Sequence, residues 1–361
     1  MAFIQHAQCF TALGDERATS RALLEGTIGL KRGPVPHVEA DDLVPQAWMP
    51  DNYLDAGPRW FGYLQALRDA LPDRPWGQRE YPIFITSSNY GIDHLFKYSQ
   101  DADLSLVDWM TPHKLIRKLR TLFGWGSHVT ILSHACVTAQ LGLLLAERSV
   151  EQGVAREALV FSFDFLSPFV IGGFHSLKIL NDGMPAPYQD GETGSIGLGE
   201  GAGAIVVGSA PTNFRIRQQS IFNEMFHFTA NAPDGSGFEE VFSAMSAAAG
   251  AGKAWVKGHG TGTLEAGKLE AEAVDRLIPG APLVSWKGSI GHTLGSCAVV
   301  ELAIALESIR AGRIPGNLGA KGPYFSKAVQ QESFSANDFS SVILSSNAFG
   351  GAHAAMLIDY E

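Results

Sequence analysis

The stretch CAVVELAIALESIRA, residues 297–311, is apolar nearly all round a helical turn, with Leu302, Ile304, Ala305, Leu306 and Ile309 spread over its faces. A helix without a polar face must be covered on every side. It predicts layers of sheet closing over a central helix, not a helix lying on a surface. The rest of the chain can supply those layers. Apolar, β-branched runs at Phe3–Gln8, Pro82–Ser87, His128–Leu132, Leu159–Phe165 and Gly203–Gly208 read as strands. So do Arg215–Asn223, Ala254–Lys257, Pro282–Trp286, Val342–Asn347 and Ala354–Asp359. Helical patterns at Glu16–Leu24, Trp60–Ala70, Pro112–Phe123, Thr138–Gln152, Phe238–Ala249 and Lys268–Ile278 alternate with them. The expectation is an α/β chain. Asn181–Gly201 and Gly312–Ser326, both bearing prolines and glycines, read as loops. Ser209–Phe214, with Pro211, is the natural divide between a half over 1–209 and a half over 210–361. No internal repeat is visible at the level of sequence.

Composition narrows the function. With 27 Lys+Arg against 37 Asp+Glu, a net charge of −10, the chain lacks the broad basic face that nucleic acid requires. Cys9, Cys136 and Cys297 are too few and too far apart for a disulfide framework or a zinc cluster. The opening MAFIQHAQCFTALGDE does not read as a signal peptide. The longest apolar run, near Leu141–Ala146, falls far short of the roughly 20 residues of a membrane span. A soluble, reduced, cytoplasmic enzyme is expected, with no cofactor and no metal.

Three segments carry side chains suited to chemistry. In HVTILSHACVTAQLG a β-rich run ends at Ser133 and an amphipathic helix begins near Val137. Cys136 at that junction meets unpaired N–H groups and the positive end of a helix, which favour a thiolate and a lowered pKa. The plain alternative is a small buried hydrophobe. Next, Lys257-Gly-His259-Gly-Thr-Gly-Thr263 follows an apolar run; its glycines lack the spacing of a phosphate loop, so His259 is the better candidate. In Ser285-Trp-Lys287-Gly-Ser-Ile-Gly-His292, a histidine again precedes the buried helix, with Lys287 before it and Glu301 inside the helix. Such charges are costly to bury unless paired. Ser345-Ser-Asn-Ala-Phe349-Gly-Gly351 adds a bulky ring beside two glycines. A thiolate can accept an acyl group, and two imidazoles can hold an oxyanion or enolate. That set suits carbon–carbon bond formation on thioesters better than proteolysis.

These segments resemble a β-ketoacyl-acyl-carrier-protein synthase of the thiolase superfamily, elongating Cys-His-His type. KGHGTGTLEAGKLEAEAV (257–274), KGSIGHTLGSCAVVELAIAL (287–306), HACVTA (134–139), GLGEGAGAIVV (197–207) and NAFGGAHA (347–354) follow the family's blocks in order, as do SPFVIGGFHSLKILN (167–181) and AQCFTALGD. The resemblance implies a thiolase-like five-layered αβαβα sandwich of two pseudo-symmetric halves, as a homodimer or a heterodimer with a second ketosynthase-like subunit. It implies that Cys136 takes the acyl chain, with N–H groups of Cys136 and Phe349 as oxyanion hole and Phe349 as gating ring. His259 and His292 would assist decarboxylation of malonyl carrier protein, with Lys287 and Glu301 as paired charges behind them. The implied partner is an acyl carrier protein, in fatty-acid or type II polyketide or polyene synthesis. Two other roles fit the same scaffold: a non-condensing, chain-length-factor-like subunit, and an acyltransferase or decarboxylase. The chain departs from the pattern at Leu264, Gly267, Ala348 and Ala352-His353, and in PAPYQDGETGSIG, residues 185–197. The basic run His113–Arg120 offers a docking helix for an acidic carrier, or simply a solvated face. Cys297 and His134 read as packing residues, and His353 has no assignable role.

Overall fold

The computed structural model describes residues 1–36, 42–54, 57–227, 229–249 and 253–361. Two runs of five strands use the same arrangement. The first comprises β1 (Ala2–Thr11), β2 (Ile83–Thr86), β3 (Val129–Leu132), β4 (Glu157–Asp164) and β5 (Gly201–Gly208). The second comprises β6 (Phe214–Asn223), β7 (Ala254–Lys257), β8 (Leu283–Val284), β9 (Ser341–Ala348) and β10 (Ala352–Tyr360). In space the first run reads β3-β2-β4-β5-β1 and the second β8-β7-β9-β10-β6. Both are therefore third-second-fourth-fifth-first. In each, the second strand is parallel to its two neighbours and the fifth antiparallel to both of its own. Even the register shift recurs, between Ile4 and His6 in β1 and between Ile216 and Gln218 in β6. The runs join where β1 and β6 pair antiparallel at Ala2–Ile216 and Phe3–Arg215.

The helices are α1 (Glu16–Leu24), α2 (Phe61–Asp69), α3 (Ile92–Asp101), α4 (Pro112–Phe123), α5 (Thr138–Glu151), α6 (Pro168–Ser176), α7 (Ser236–Ala249), α8 (Leu264–Leu277) and α9 (Cys297–Arg310). Between the third and fourth strands stands α5 in the first half and α9 in the second. The two touch each other, and both touch strands of both halves. Side chains alternate along each central strand, as the two-residue period requires. Val160, Ile205, Val342, Leu344, Met356 and Ile358 point inward to a core shared with α5 and α9. Leu159, Phe161, Phe163 and Val206 point the other way, onto α2 and α4. Ile343 and Leu357 do the same onto α7 and α8. The order is helix, sheet, helix, sheet, helix: a thiolase-like five-layered sandwich. Only Glu307 and Arg310 of α9 escape burial, which explains why that helix has no polar face.

Local chemistry sets several boundaries. Asp15 caps α1 by accepting from Ala18 N–H at 2.8 Å. Thr111 caps α4, whose first residue is Pro112 and whose end is Gly124 in the left-handed region. The helix expected from Lys268 begins four residues earlier, at Leu264, because extended Thr263 starts the turn despite Gly267. The strand expected over Pro282–Trp286 pairs only at Leu283–Val284; Trp286 instead caps a helical turn over Lys287–Ile290. The loop readings were too broad at their ends: Leu198–Gly199 and Arg313–Ile314 form short strands. Helices α3 and α6 were not expected; GGFHS in α6 hides its period behind two glycines. No helix among the described residues is long and apolar enough to cross a membrane.

Candidate active site

Cys136 stands on a sharp bend between β3 and α5. Ala135 has φ +45°, a conformation that disfavours any side chain. Thr138 pins the bend: its hydroxyl accepts from His134 N–H at 2.7 Å and donates to the Ala135 carbonyl at 2.6 Å. The Cys136 thiol lies 3.0 Å from His292 Nε2 and accepts a hydrogen bond from Phe349 N–H. Cys297, at the start of α9, donates its thiol to the Cys136 carbonyl at 3.2 Å. One expectation fails. Burial pushes the Cys136 thiol well above its ordinary pKa, outweighing the Phe349 N–H and the Lys287 charge. The cysteine also precedes the N-cap residue Val137, one position outside the helix end. The ring atom in reach of the sulfur is His292 Nε2.

His259 follows β7 in a loop held by one buried carboxylate. Glu270 accepts from His259 N–H at 2.7 Å, Gly260 N–H at 2.9 Å, Tyr188 Oη at 2.8 Å and Ser345 Oγ at 2.8 Å. Gly260 is needed there. Its φ is +22°, and a Cβ would sit 2.5 Å from the Tyr188 ring. His292 follows Gly291, whose φ of +74° turns the chain after the Lys287–Ile290 helical turn. Its N–H donates to Gly197 O at 2.6 Å, and its carbonyl accepts from Gly199 N–H at 3.0 Å. The two imidazoles stand edge to face, centroids 5.1 Å apart. Burial, then the Lys287 charge, holds both well below the usual histidine value. Each Nδ1 is buried without a hydrogen-bond partner among the described residues. The neutral ring protonated at Nε2 fits that setting, since a proton at Nδ1 would find no acceptor.

Lys287 Nζ donates to Glu301 Oε1 at 2.6 Å, and both are buried. Burial works against the Lys287 charge, but the Glu301 carboxylate overcomes it and leaves the ammonium above its ordinary pKa. Phe349 sits in the tight connection from β9 to β10, its ring stacked on Phe174 at 6.0 Å. Beneath that hairpin lies His353, with Nε2 3.1 Å from Glu224 Oε2 and Nδ1 3.2 Å from the Asn347 amide. The residue without an expected role thus braces the loop that carries Phe349. Cys136, His259, His292, Phe349, Phe174 and Asn347 line one cavity of about 170 Å³. Lys287 and Glu301 stand behind it. Reading the sequence passed over Lys257, Glu270, Tyr188 and Asn347. Glu270 had a usable signal, an acid on the apolar face of a helix just after His259. The basic run behaves otherwise than a free patch: Lys118 lies over the Trp109 ring at 4.7 Å and Arg120 Nε donates to Gly126 O at 2.7 Å. His113 and Arg117 remain exposed, and no residue of α4 lines the cavity. Among the described residues no group of three or more His, Cys, Asp or Glu is placed to hold a metal ion.

A cysteine thiol, two neutral imidazoles and a backbone donor in one small cavity, on a doubled five-strand unit, invite comparison with known proteins. The β-ketoacyl synthase C-terminal domain family matches residues 214–321. A 3-oxoacyl-[acyl-carrier-protein] synthase 2 of Coxiella burnetii is 24% identical over 281 residues, covering 72% of this chain and 65% of that protein. The tetracenomycin polyketide synthase ketoacyl synthase alpha subunit of Streptomyces glaucescens is 25% identical over 68% of this chain and 62% of its own length. The chain resembles ketosynthases in these relatives, and its family match is confined to residues 214–321. It spans a little under two thirds of the length of those two relatives. Among solved structures, a β-ketoacyl synthase from Burkholderia phymatum superposes over 100% of this chain and 99% of its own, with a TM-score of 0.85 at 19% identity. A ketosynthase in complex with its chain length factor, from Xenorhabdus doucetiae, gives 0.83 at 20% identity over 100% and 98%. These two likenesses concern the fold alone.

Proposed function

We propose that this chain is a ketosynthase, a 3-oxoacyl-acyl-carrier-protein synthase, an acyltransferase that joins an acyl group on Cys136 to malonyl carrier protein with loss of carbon dioxide. The reading places Cys136 in a half spanning 1–209 and the two histidines in a half spanning 210–361, with the reaction in the cytoplasm and acyl carrier protein as partner. The observation that supports it most is the Cys136 thiol 3.0 Å from His292 Nε2, with His259 edge-on in the same cavity. The sulfur attacks the acyl-thioester carbonyl, the carbon–sulfur bond to the carrier breaks, and the Cys136 proton is passed to the departing carrier sulfur. The oxyanion of this step is held by backbone N–H groups of Cys136 and Phe349. Malonyl carrier protein then loses carbon dioxide, and the freed electron pair forms an enolate whose oxygen accepts from Nε2–H of His259 and His292. The enolate carbon attacks the Cys136 thioester, the carbon–sulfur bond breaks to leave the Cys136 thiolate, which takes a proton from water, and a 3-oxoacyl carrier protein departs. Fatty-acid and type II polyketide or polyene synthesis both use this step.

Intact-protein mass spectrometry tests the reading. The chain is mixed with short, long and unsaturated acyl carrier proteins, then chased with malonyl carrier protein. An acyl adduct that Cys136→Ala abolishes, and that disappears into an extended carrier product, is the expected result. No adduct on folded protein would refute it and favour a non-condensing, chain-length-factor-like partner subunit. An adduct without an extended product would favour plain acyl transfer or decarboxylation.

A further inference from the structure

Behind the two histidines lies a cation that the reaction above does not use. Lys257, the last residue of β7, is completely buried. Its Nζ is 2.9 Å from Glu301 Oε2, while Lys287 holds Oε1, so one carboxylate faces two ammonium groups. The same Nζ donates at 2.5 Å to the Gly258 carbonyl, in the peptide that leads into His259, and lies 5.7 Å from the Trp286 ring. An ammonium in such a place costs far more than the methionine that would fill its volume. Glu270, the other nearby carboxylate, is already engaged by four hydrogen-bond donors. The Glu301 carboxylate therefore has to serve two ammonium groups behind the rings.

We propose that Lys257 is a positioning residue whose charge adds to burial and to Lys287 in keeping the His259 and His292 rings neutral, so that each offers Nε2–H to the substrate oxygen without carrying an acidic second proton. The catalytic meaning rests on the ketosynthase reading: an imidazolium beside an enolate would protonate the carbanion and quench bond formation. Both lysines repel a proton from both rings, and His353 adds to this at His259. Glu301 and Cys297 face Lys257 from α9, and Lys287 from the turn before it. Burial pulls the Lys257 ammonium down to about 8, so the charge is present at neutral pH and fades in mildly alkaline solution.

The test needs no substrate. The full chain is labelled with 15N-histidine, and ring nitrogens of His259 and His292, assigned with His259→Asn and His292→Asn, are followed from pH 8 down to the acid limit of the fold. In the wild type both rings should stay neutral with the proton on Nε2. In Lys257→Gln, which keeps a donor for Gly258 but not the charge, at least one ring should take up a proton about one pH unit higher. Lys257→Met should do likewise, and Lys257→Arg should follow the wild type. A wild-type ring already charged at pH 6.5, or a folded Lys257→Gln chain whose titration superimposes on the wild type, would overturn the proposal. Ring protonation is read whether or not the chain forms an acyl adduct, so failure of either reading is distinguishable from failure of the other.

Discussion

Glu301→Gln keeps the shape of a fully buried side chain and removes the charge that both Lys257 and Lys287 face. Removing one partner of a buried ion pair costs about 3–5 kcal/mol, because the remaining charge has neither water nor a counter-ion. Unfolding entropy of about 2.1 cal/mol/K per residue, over 361 residues, converts that cost into a fall of about 4–7 °C in melting midpoint. The pH dependence has a definite sign. Without Glu301 the Lys257 ammonium drops further below its unfolded value of 10.5 and Lys287 loses the charge that holds it above that value, so the unfolded chain binds more protons and stability rises with pH. The deficit of the variant should therefore be larger at pH 7 than at pH 9. Scanning calorimetry at the two pH values reads both quantities. The triple variant Lys257→Met, Glu301→Leu, Lys287→Met replaces the whole group by apolar side chains and should melt closer to the wild type than Glu301→Gln alone. A Glu301→Gln midpoint within 1 °C of wild type at both pH values would refute the view that this carboxylate holds two buried cations.

Three further outcomes follow from single positions. Ala135 has φ +45°, so Ala135→Val should lower stability by about 1–3 kcal/mol in denaturant titrations and slow acylation of Cys136, whereas Ala135→Gly should retain both. Gly267 lies inside α8, where a Cβ would meet nothing closer than 3.8 Å; Gly267→Ala should stabilise the chain by about 0.5–1 kcal/mol, and a loss instead would mean that the Tyr188 packing is tighter than described. Burial holds His259 and His292 neutral below the 6.5 at which the unfolded chain takes up protons. Urea midpoints should fall as pH drops through that value, by up to about 1.4 kcal/mol per pH unit for each ring, with a shallower fall in His292→Gln. A profile flat from pH 7.5 to 5.5 would exclude two neutral buried imidazoles.

The layered fold was legible in residues 297–311 because an unbroken apolar surface admits only full enclosure, and the alternating strands said what encloses it. Cys136, His259 and His292 could be picked out because each stands between a strand and a glycine or helix start, a local signature. Lys287 and Glu301 were visible as charges that burial obliges to pair. Lys257 was not, since the sequence shows only a charge at the end of an apolar strand; that it shares Glu301 follows from β7 and α9 meeting across layers. The Cys136 thiol shows the same division. Its position before a helix suggested an acidic thiol, but enclosure by α9, the Phe349 hairpin and His292 removes the water that would stabilise the thiolate. Local sequence thus determined which residues end strands and begin helices, because backbone propensity and turn chemistry act over a few positions. Tertiary structure decided which charges meet and how dry they are, because dielectric and Coulomb effects depend on distance in space, not on distance along the chain.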